Sequence, residues 1–301
     1  MIKRTVVLSK PSYLSTKQEQ MVIRYPGEDE EKISVPIEDI GLVLLESQQI
    51  TITNGLLNKL VENKAVVVSC DKKHMPASLT LPMSGHTLSG ERYKHQIKAS
   101  LPLKKGLWKQ TIKAKLINQG RVLEFLGEDP EPLYKWSKKV LSGDSGFHES
   151  RAAAYYWPRL IKSPTFRRDP EGDPPNNLFN YTYAILRGII ARALVGSGLL
   201  PGLGIFHKNK YNSYPLADDI MEPYRPLADA LVMDLYMSCE KHPKLDTFTK
   251  SNLLTLPTMD VLVGGNKSPL MVAASRTSNS LYECFEGTRR KILYPEYAVY
   301  T

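Results

Sequence analysis

The apolar periodicity of this chain changes once, near residue 85, and that change limits the fold more than any other feature. Before it, apolar residues come in short runs, TVVLS, QMVIRY, ISVPI, GLVLLES and AVVVSC, separated by turn formers such as PGEDEE and TNG. Runs of that length, rich in Val, Ile and Leu and bounded by Gly, Pro and Asp, read as strands. One segment departs from the pattern: NGLLNKLVENK places Leu56, Leu57, Leu60 and Val61 on one helical face. MPASLTLPMSGHTLSG, dense in Pro, Gly and Ser, reads as a hinge. From Glu91 onward the spacing is helical through SGERYKHQIKASL, KGLWKQTIKAKLINQGRVLEFLG, PLYKWSKKVLSG, ESRAAAYYWPRLI, NNLFNYTYAILRGIIARALVGSG, PLADALVMDLYMSCEK and PLMVAASRTSNSLYECFEGT. The expected architecture is α+β: a small N-terminal β-rich domain over residues 1–85, then a larger, mostly α-helical domain over 86–301. The strands are too few to protect every sheet edge, so the first domain is expected to mediate homodimerisation.

At 301 residues, with 42% hydrophobic and 24% charged, the chain can bury two cores, which excludes a disordered or fibrous class. The net charge of +9 makes a polyanion a natural partner. Cys70, Cys239 and Cys284 form no CxxC pair, so a zinc ribbon is not expected and a reducing compartment is. The opening MIKRTVVLSKPSYL has too short an apolar run for a signal peptide. The most apolar stretch, YAILRGIIARALVGSGLL, contains Arg187 and Arg192, so it is expected to be a buried helix and not a membrane span. A cytoplasmic protein follows as the expectation.

Chemistry concentrates in GIFHKNKYNSYPLADDIMEPYRPLADALV, which holds His207, Asp218, Asp219, Glu222 and Arg225. Two readings compete: a polar loop leading into a surface helix, or most of a metal site whose remaining carboxylate lies elsewhere. Asp219 and Glu222 are three apart and could share a face, and Arg225 could pair with either. The outside carboxylate with the best context is Glu149 in SGDSGFHESRAAAYYW. It stands in the first turn of a helix that Asp144 or Ser145 can cap, ahead of alanines at 152, 153 and 154 that permit close packing. Singly, each has an ordinary account: Glu149 as an acid favoured at a helix start, His207 as a structural histidine. Together, one His and two carboxylates suit Mg²⁺ or Mn²⁺ working on phosphate. Basic residues that could hold a nucleic-acid backbone are Arg167, Arg168, Lys208, Lys210, Arg225, Arg289, Arg290 and Lys291. The glycines around residue 200 follow a helix and lack the GxGxxG spacing, so they make no phosphate loop.

Four segments in order, KGLWKQTIKAKLINQG, SGDSGFHESRAAAYYW, NYTYAILRGIIARALVGSGLLPGLGIFH and DDIMEPYRPLADALV, together resemble the CRISPR-associated integrase family of spacer acquisition, Cas-one. The resemblance spans nearly the whole chain, and its compactness is in keeping with type II members. It implies an N-terminal β domain, a hinge and a helical catalytic domain. It implies metal ligation by Glu149, His207 and Glu222, with Asp219 behind them and Asp218 as a further candidate. It also implies DNA transesterification that inserts captured double-stranded fragments into a repeat array, and homodimers bridged in pairs by a dimer of the small Cas-two protein. The alternatives are a metal-dependent nuclease that cleaves without joining and a non-catalytic nucleic-acid-binding scaffold.

Overall fold

In the computed structural model, which describes residues 3–27, 33–83, 85–238 and 244–298, the chain divides into two units, Met1–Gly85 and His86–Thr301. Residues 28–31 of the expected turn, residue 84 of the expected hinge and residues 239–241 of an expected helix, Cys239 included, lie outside the described residues.

The first unit runs β1 (Arg4–Leu8), β2 (Ser12–Lys17), β3 (Gln20–Arg24), β4 (Ile33–Pro36), β5 (Ile40–Leu45), β6 (Ile50–Ile52), α1 (Asn54–Glu62), β7 (Val66–Cys70) and β8 (Pro76–Thr80). One sheet has the order β1-β5-β7-β8, parallel except for the last strand. The other has the order β4-β3-β2-β6, antiparallel except for β6 beside β2. Leu8, Leu14, Met21, Ile23, Ile37, Ile40, Val43 and Val67 form one core with Leu56 and Leu60 of α1. Thr53 Oγ1 caps that helix by accepting the Leu56 N–H. Leu57 and Val61, expected on the same face, are only partly covered.

Three strands of this unit were not expected. β2 (SYLSTK) and β6 (ITI) are carried less by composition than by pairing: Leu14 of β2 is fully buried between exposed Tyr13 and partly covered Ser15. β8 occupies part of the expected hinge. Proline stands there as the first residue of an edge strand, where its missing N–H costs no ladder bond.

The second unit runs α2 (Ser89–Lys98), α3 (Leu101–Phe125), α4 (Glu131–Lys139), α5 (His148–Leu160), α6 (Asn176–Gly196), α7 (Pro215–Met221), α8 (Arg225–Ser238), α9 (Thr247–Leu253), β9 (Asp260–Val263), β10 (Asn266–Pro269) and α10 (Leu270–Glu286). The fold class is therefore α+β, with strands first and a mostly helical second unit. α6 is buried along most of its length and packs against α7, α8 and α10. Among the described residues no helix is long and apolar enough to cross a membrane. α3 packs against α4, α5 and α8. It continues unbroken through Asn118 and Gln119. Gly120 does not break it: a Cβ there would fall 2.5 Å from the Tyr134 ring, so glycine is what lets α4 approach.

Candidate metal and nucleic-acid site

Each candidate ligand owes its position to a different local device, all within the second unit. Glu149 sits in the first turn of α5. The chain enters that helix through left-handed backbone at Asp144 and Phe147. The Asp144 carboxylate then accepts the N–H of His148 at 3.0 Å and of Glu149 at 2.9 Å. Asp144 is thus the capping side chain of the two that sequence allowed, and its charge suits the positive helix end. Of the three alanines that follow, Ala152 is fully buried while Ala154 is exposed, so close packing falls on one of them.

Glu222 begins a 3-10 turn, Glu222–Tyr224, between α7 and α8. Asn118 of α3 pins this turn, its Nδ2 donating to the carbonyls of Pro223 at 2.7 Å and Pro295 at 2.9 Å. Asp218, Asp219 and Glu222 are all buried, so the polar loop after His207 leads into a buried helix and not a surface one.

The two acids at 218 and 219 have separate duties. Asp218 takes a bidentate Arg187 guanidinium, 2.7 Å from Nε and 3.0 Å from Nη2, and accepts Asn212 Nδ2 at 2.7 Å. Its carboxylate is committed to tying α7 to α6. Asp219 is fully buried, and its Oδ2 accepts the backbone N–H groups of Ile205 at 2.7 Å and Phe206 at 2.9 Å. Its Oδ1 accepts the His207 N–H at 3.2 Å and stands 2.6 Å from His207 Nδ1. An ionised carboxylate can only accept, so Nδ1 carries the proton and Nε2 is the nitrogen left for other work. Behind the imidazole, Trp108 is fully buried, stacks on Phe206 with centroids 4.2 Å apart, and meets His207 edge-on at 5.5 Å.

Glu149 and Glu222 converge on one cation. The Lys115 ammonium lies 2.7 Å from Glu149 Oε1 and 2.6 Å from Glu222 Oε2. On the far side Arg225 Nε is 3.2 Å from Glu222 Oε1. Burial alone would raise the Glu222 carboxyl, but Arg225 and Lys115 outweigh it and hold the group below the ordinary carboxylate range. Burial likewise opposes the Lys115 charge, and Glu222 with Glu149 outweigh it, so the ammonium is held above its ordinary value. His207 is raised too: the hydrogen bond it donates to Asp219 leads, burial opposes, and the charges of Asp219, Glu222 and Glu149 add to the rise.

Among the described residues no three His, Cys, Asp or Glu side chains already stand close enough to hold a metal. The donor set nonetheless fits a hard divalent ion: two carboxylates share a cation-occupied position, and the charges of both act on an oriented imidazole. Sequence reasoning missed Lys115. The signal was available, since Trp108, Ile112, Lys115 and Gln119 recur at helical spacing and so place a lysine on the buried stripe of α3.

Beside Lys115 opens a cavity of about 490 Å³ lined by Arg168, Arg187, Arg225, Trp157, Tyr183 and Asp229, among others. Arg168 donates to Asn176 and Asn180 at 2.9 and 2.5 Å. Arg225 is half-buried and committed to Glu222, so its charge serves the carboxylate first. Arg167, Lys208, Lys210, Arg290 and Lys291 are exposed, whereas Arg289 is ion-paired to Glu283 at 2.6 Å. Asp229 is another residue that sequence reasoning missed: it is fully enclosed, with the Tyr156 and Tyr183 hydroxyls donating to it at 3.0 and 2.5 Å, and burial pushes its carboxyl up to about 7.

Residues 5–253 match the family model described as CRISPR associated protein Cas1. The chain is 36% identical over 253 residues to the CRISPR-associated endonuclease Cas1 of Neisseria meningitidis serogroup C (strain 8013), covering 83% of this chain and 82% of that protein. Its fold is similar to that of a casposase bound to integration product, with a TM-score of 0.80 and 19% identity over 96% of this chain and 92% of that one. It is also similar to a CAS1 protein from Thermotoga maritima, with a TM-score of 0.72 and 14% identity over 99% of this chain and 100% of that one. The chain belongs to the CRISPR-associated Cas1 family.

Proposed function

We propose that this protein is a metal-dependent DNA endonuclease and integrase that inserts captured double-stranded fragments into a CRISPR repeat array as new spacers. The observation that carries this reading is the convergence of Glu149 and Glu222 on one cationic position, in the same unit as a His207 whose imidazole is oriented by Asp219. Glu149, Glu222 and the Nε2 of His207 are the residues that would hold Mg²⁺ or Mn²⁺. Such an ion polarises a phosphoryl oxygen and lowers the barrier to in-line attack.

The reaction is a transesterification. The 3′-hydroxyl oxygen of the fragment forms a new bond to the scissile phosphorus as the bond to the repeat's own 3′-oxygen breaks. The attacking oxygen loses its proton and the leaving oxygen gains one, so no water and no covalent enzyme intermediate are consumed. The chain's part is to hold the reacting groups in line and to place positive charge where negative charge develops. Lys208 and Lys210, exposed on the loop that follows His207, would grip the DNA backbone.

In this reading the protein works as a homodimer joined through its β unit, and two such dimers are bridged by a Cas2 dimer. Edge strands support the first point: β4 is an edge of its sheet, and Ile33 at its start is 45% exposed.

The experiment is a strand-transfer assay with a labelled short duplex and a supercoiled plasmid carrying the repeat, with and without Mg²⁺ or Mn²⁺. Joined product that needs the ion and a free 3′-hydroxyl supports the reading. Nicked plasmid without joining would assign hydrolysis alone, and no metal-dependent product at all would assign a binding scaffold.

A further inference from the structure

We propose that Lys115 is an internal placeholder cation: its ammonium holds Glu149 and Glu222 together where a divalent ion would sit, and yields that position when the ion enters. This rests on the reading of Glu149 and Glu222 as metal ligands, and goes beyond it in assigning what holds the two carboxylates together before an ion binds.

Two carboxylates brought together, Glu222 with only 4% of its side chain exposed and Glu149 with 28%, repel each other and have lost part of their solvation, so a nearby positive charge stabilises the pair. Lys115 supplies it, with a side chain only 11% exposed and Nζ at 2.7 Å from one carboxylate and 2.6 Å from the other. Arg225 stands against the remaining oxygen of Glu222. The four groups, two anions and two cations, are together neutral. A divalent ion added among them would leave two net positive charges and set the ion close to an ammonium, where repulsion in a poorly screened site is strong. Ion and ammonium are therefore alternatives at one position.

The geometry gives the ammonium a way out. Lys115 itself lines the cavity of about 490 Å³ that opens beside the site. Its stem of four methylenes is flexible, and a lysine charge is a point that can be re-aimed without losing a planar pairing geometry, as an arginine would. The cavity also holds Arg168 and Arg187, so it offers the displaced charge no carboxylate as good as the two it leaves; Asp229 there is already bonded to two tyrosines. Lys115 thus returns to Glu149 and Glu222 whenever the ion departs. The arrangement keeps the two carboxylates converged in the metal-free protein.

The test is Mn²⁺ binding, read by calorimetry and by the electron paramagnetic resonance of free Mn²⁺, on the full chain. Lys115→Met keeps the length and removes the charge. Its Mn²⁺ affinity should rise about tenfold or more over the unaltered protein, a change of about 1.4 kcal/mol per tenfold. Its thermal midpoint should fall without metal, and added Mn²⁺ should raise it by more than it raises that of the unaltered protein. Lys115→Gln, a second variant in case the first folds poorly, should behave the same way. Lys115→Arg, which keeps the charge, should bind Mn²⁺ no tighter. Equal or weaker Mn²⁺ binding by both neutral variants overturns the proposal. Glu149→Gln separates the two levels. If it weakens Mn²⁺ binding while the neutral Lys115 variants leave it unchanged, the placeholder fails and the metal site stands. If Glu149→Gln binds Mn²⁺ as well as the unaltered protein, the metal site fails and the placeholder falls with it.

Discussion

Asp219 Oδ1 stands 2.6 Å from His207 Nδ1, and the same carboxylate accepts the backbone N–H groups of residues 205, 206 and 207. One fully buried carboxylate thus shapes the loop and sets the imidazole tautomer. Asp219→Asn replaces an acceptor oxygen with an amide that faces existing donors. Stability should fall by about 1–3 kcal/mol, the cost of leaving buried polar groups without partners. Strand transfer should fall by about 10–100-fold, the usual cost of losing a carboxylate behind a metal-binding histidine. Thermal unfolding and initial rates check both, and an unchanged rate would deny Asp219 its orienting role.

Gly204 tests the same loop through its backbone. A Cβ at this position would lie 2.7 Å from the His207 carbonyl oxygen and 2.9 Å from Asp219 Oδ2. Gly204→Ala should therefore displace His207 and cost about 1–3 kcal/mol, as over-filling a packed site does. At Gly202 the nearest atom to a new Cβ is the Ser213 carbonyl oxygen at 3.5 Å, so Gly202→Ala should be close to neutral. Parallel melting curves of the two variants decide the point; equal losses would mean the close approach is not what glycine serves.

Asp229 should impose a pH dependence on stability. Burial pushes its carboxyl from 3.8 up to about 7, so between those values the folded chain binds more protons than the unfolded one. Stability from this group is complete below the lower value and is lost as pH rises through the upper one, with a slope on the order of 1.4 kcal/mol per pH unit at most. Asp229→Asn should flatten the fall between pH 4 and 7. Chemical denaturation across that range is the measurement, and an unaltered slope would place the titration elsewhere.

Lys208 and Lys210 are exposed, with Lys210 over the Tyr211 ring at 4.9 Å. Their joint replacement by Ala should weaken DNA binding evenly across sequences and lower the slope of log affinity against log salt by about 2, roughly one for each phosphate no longer neutralised. Arg289→Ala, which only breaks the ion pair with Glu283, should leave that slope where it was. Salt titrations of duplex binding distinguish the two.

Much of this architecture was legible because it rests on local patterns. The change of period near residue 85 and the helical spacing beyond it gave the α+β class and most of the helices. The capping of α5 was legible as far as Asp144 or Ser145. The hairpin of β9 and β10 was missed although its signal was present: Gly264 and Gly265 both have positive φ, as a two-residue turn of this kind requires. Other features were not local. Nothing in the order DDIMEP tells that Asp218 faces Arg187 while Asp219 faces a loop, because that depends on how α7 lies against α6. Arg225 and Arg289 were read as candidate DNA contacts, but tertiary packing sets each beside a carboxylate. Lys115 was hidden for the same reason: its partners come from α5 and from the turn after α7.

The central claim is that Glu149 holds a metal that the joining step requires. The most direct measurement compares DNA binding and strand transfer for purified Glu149→Ala, with circular dichroism confirming its fold. The account predicts transfer at background with duplex binding retained or slightly tightened, because affinity comes from lysines and arginines on phosphates and one negative charge has been removed. Transfer at the rate of the unaltered protein by the folded variant would contradict it.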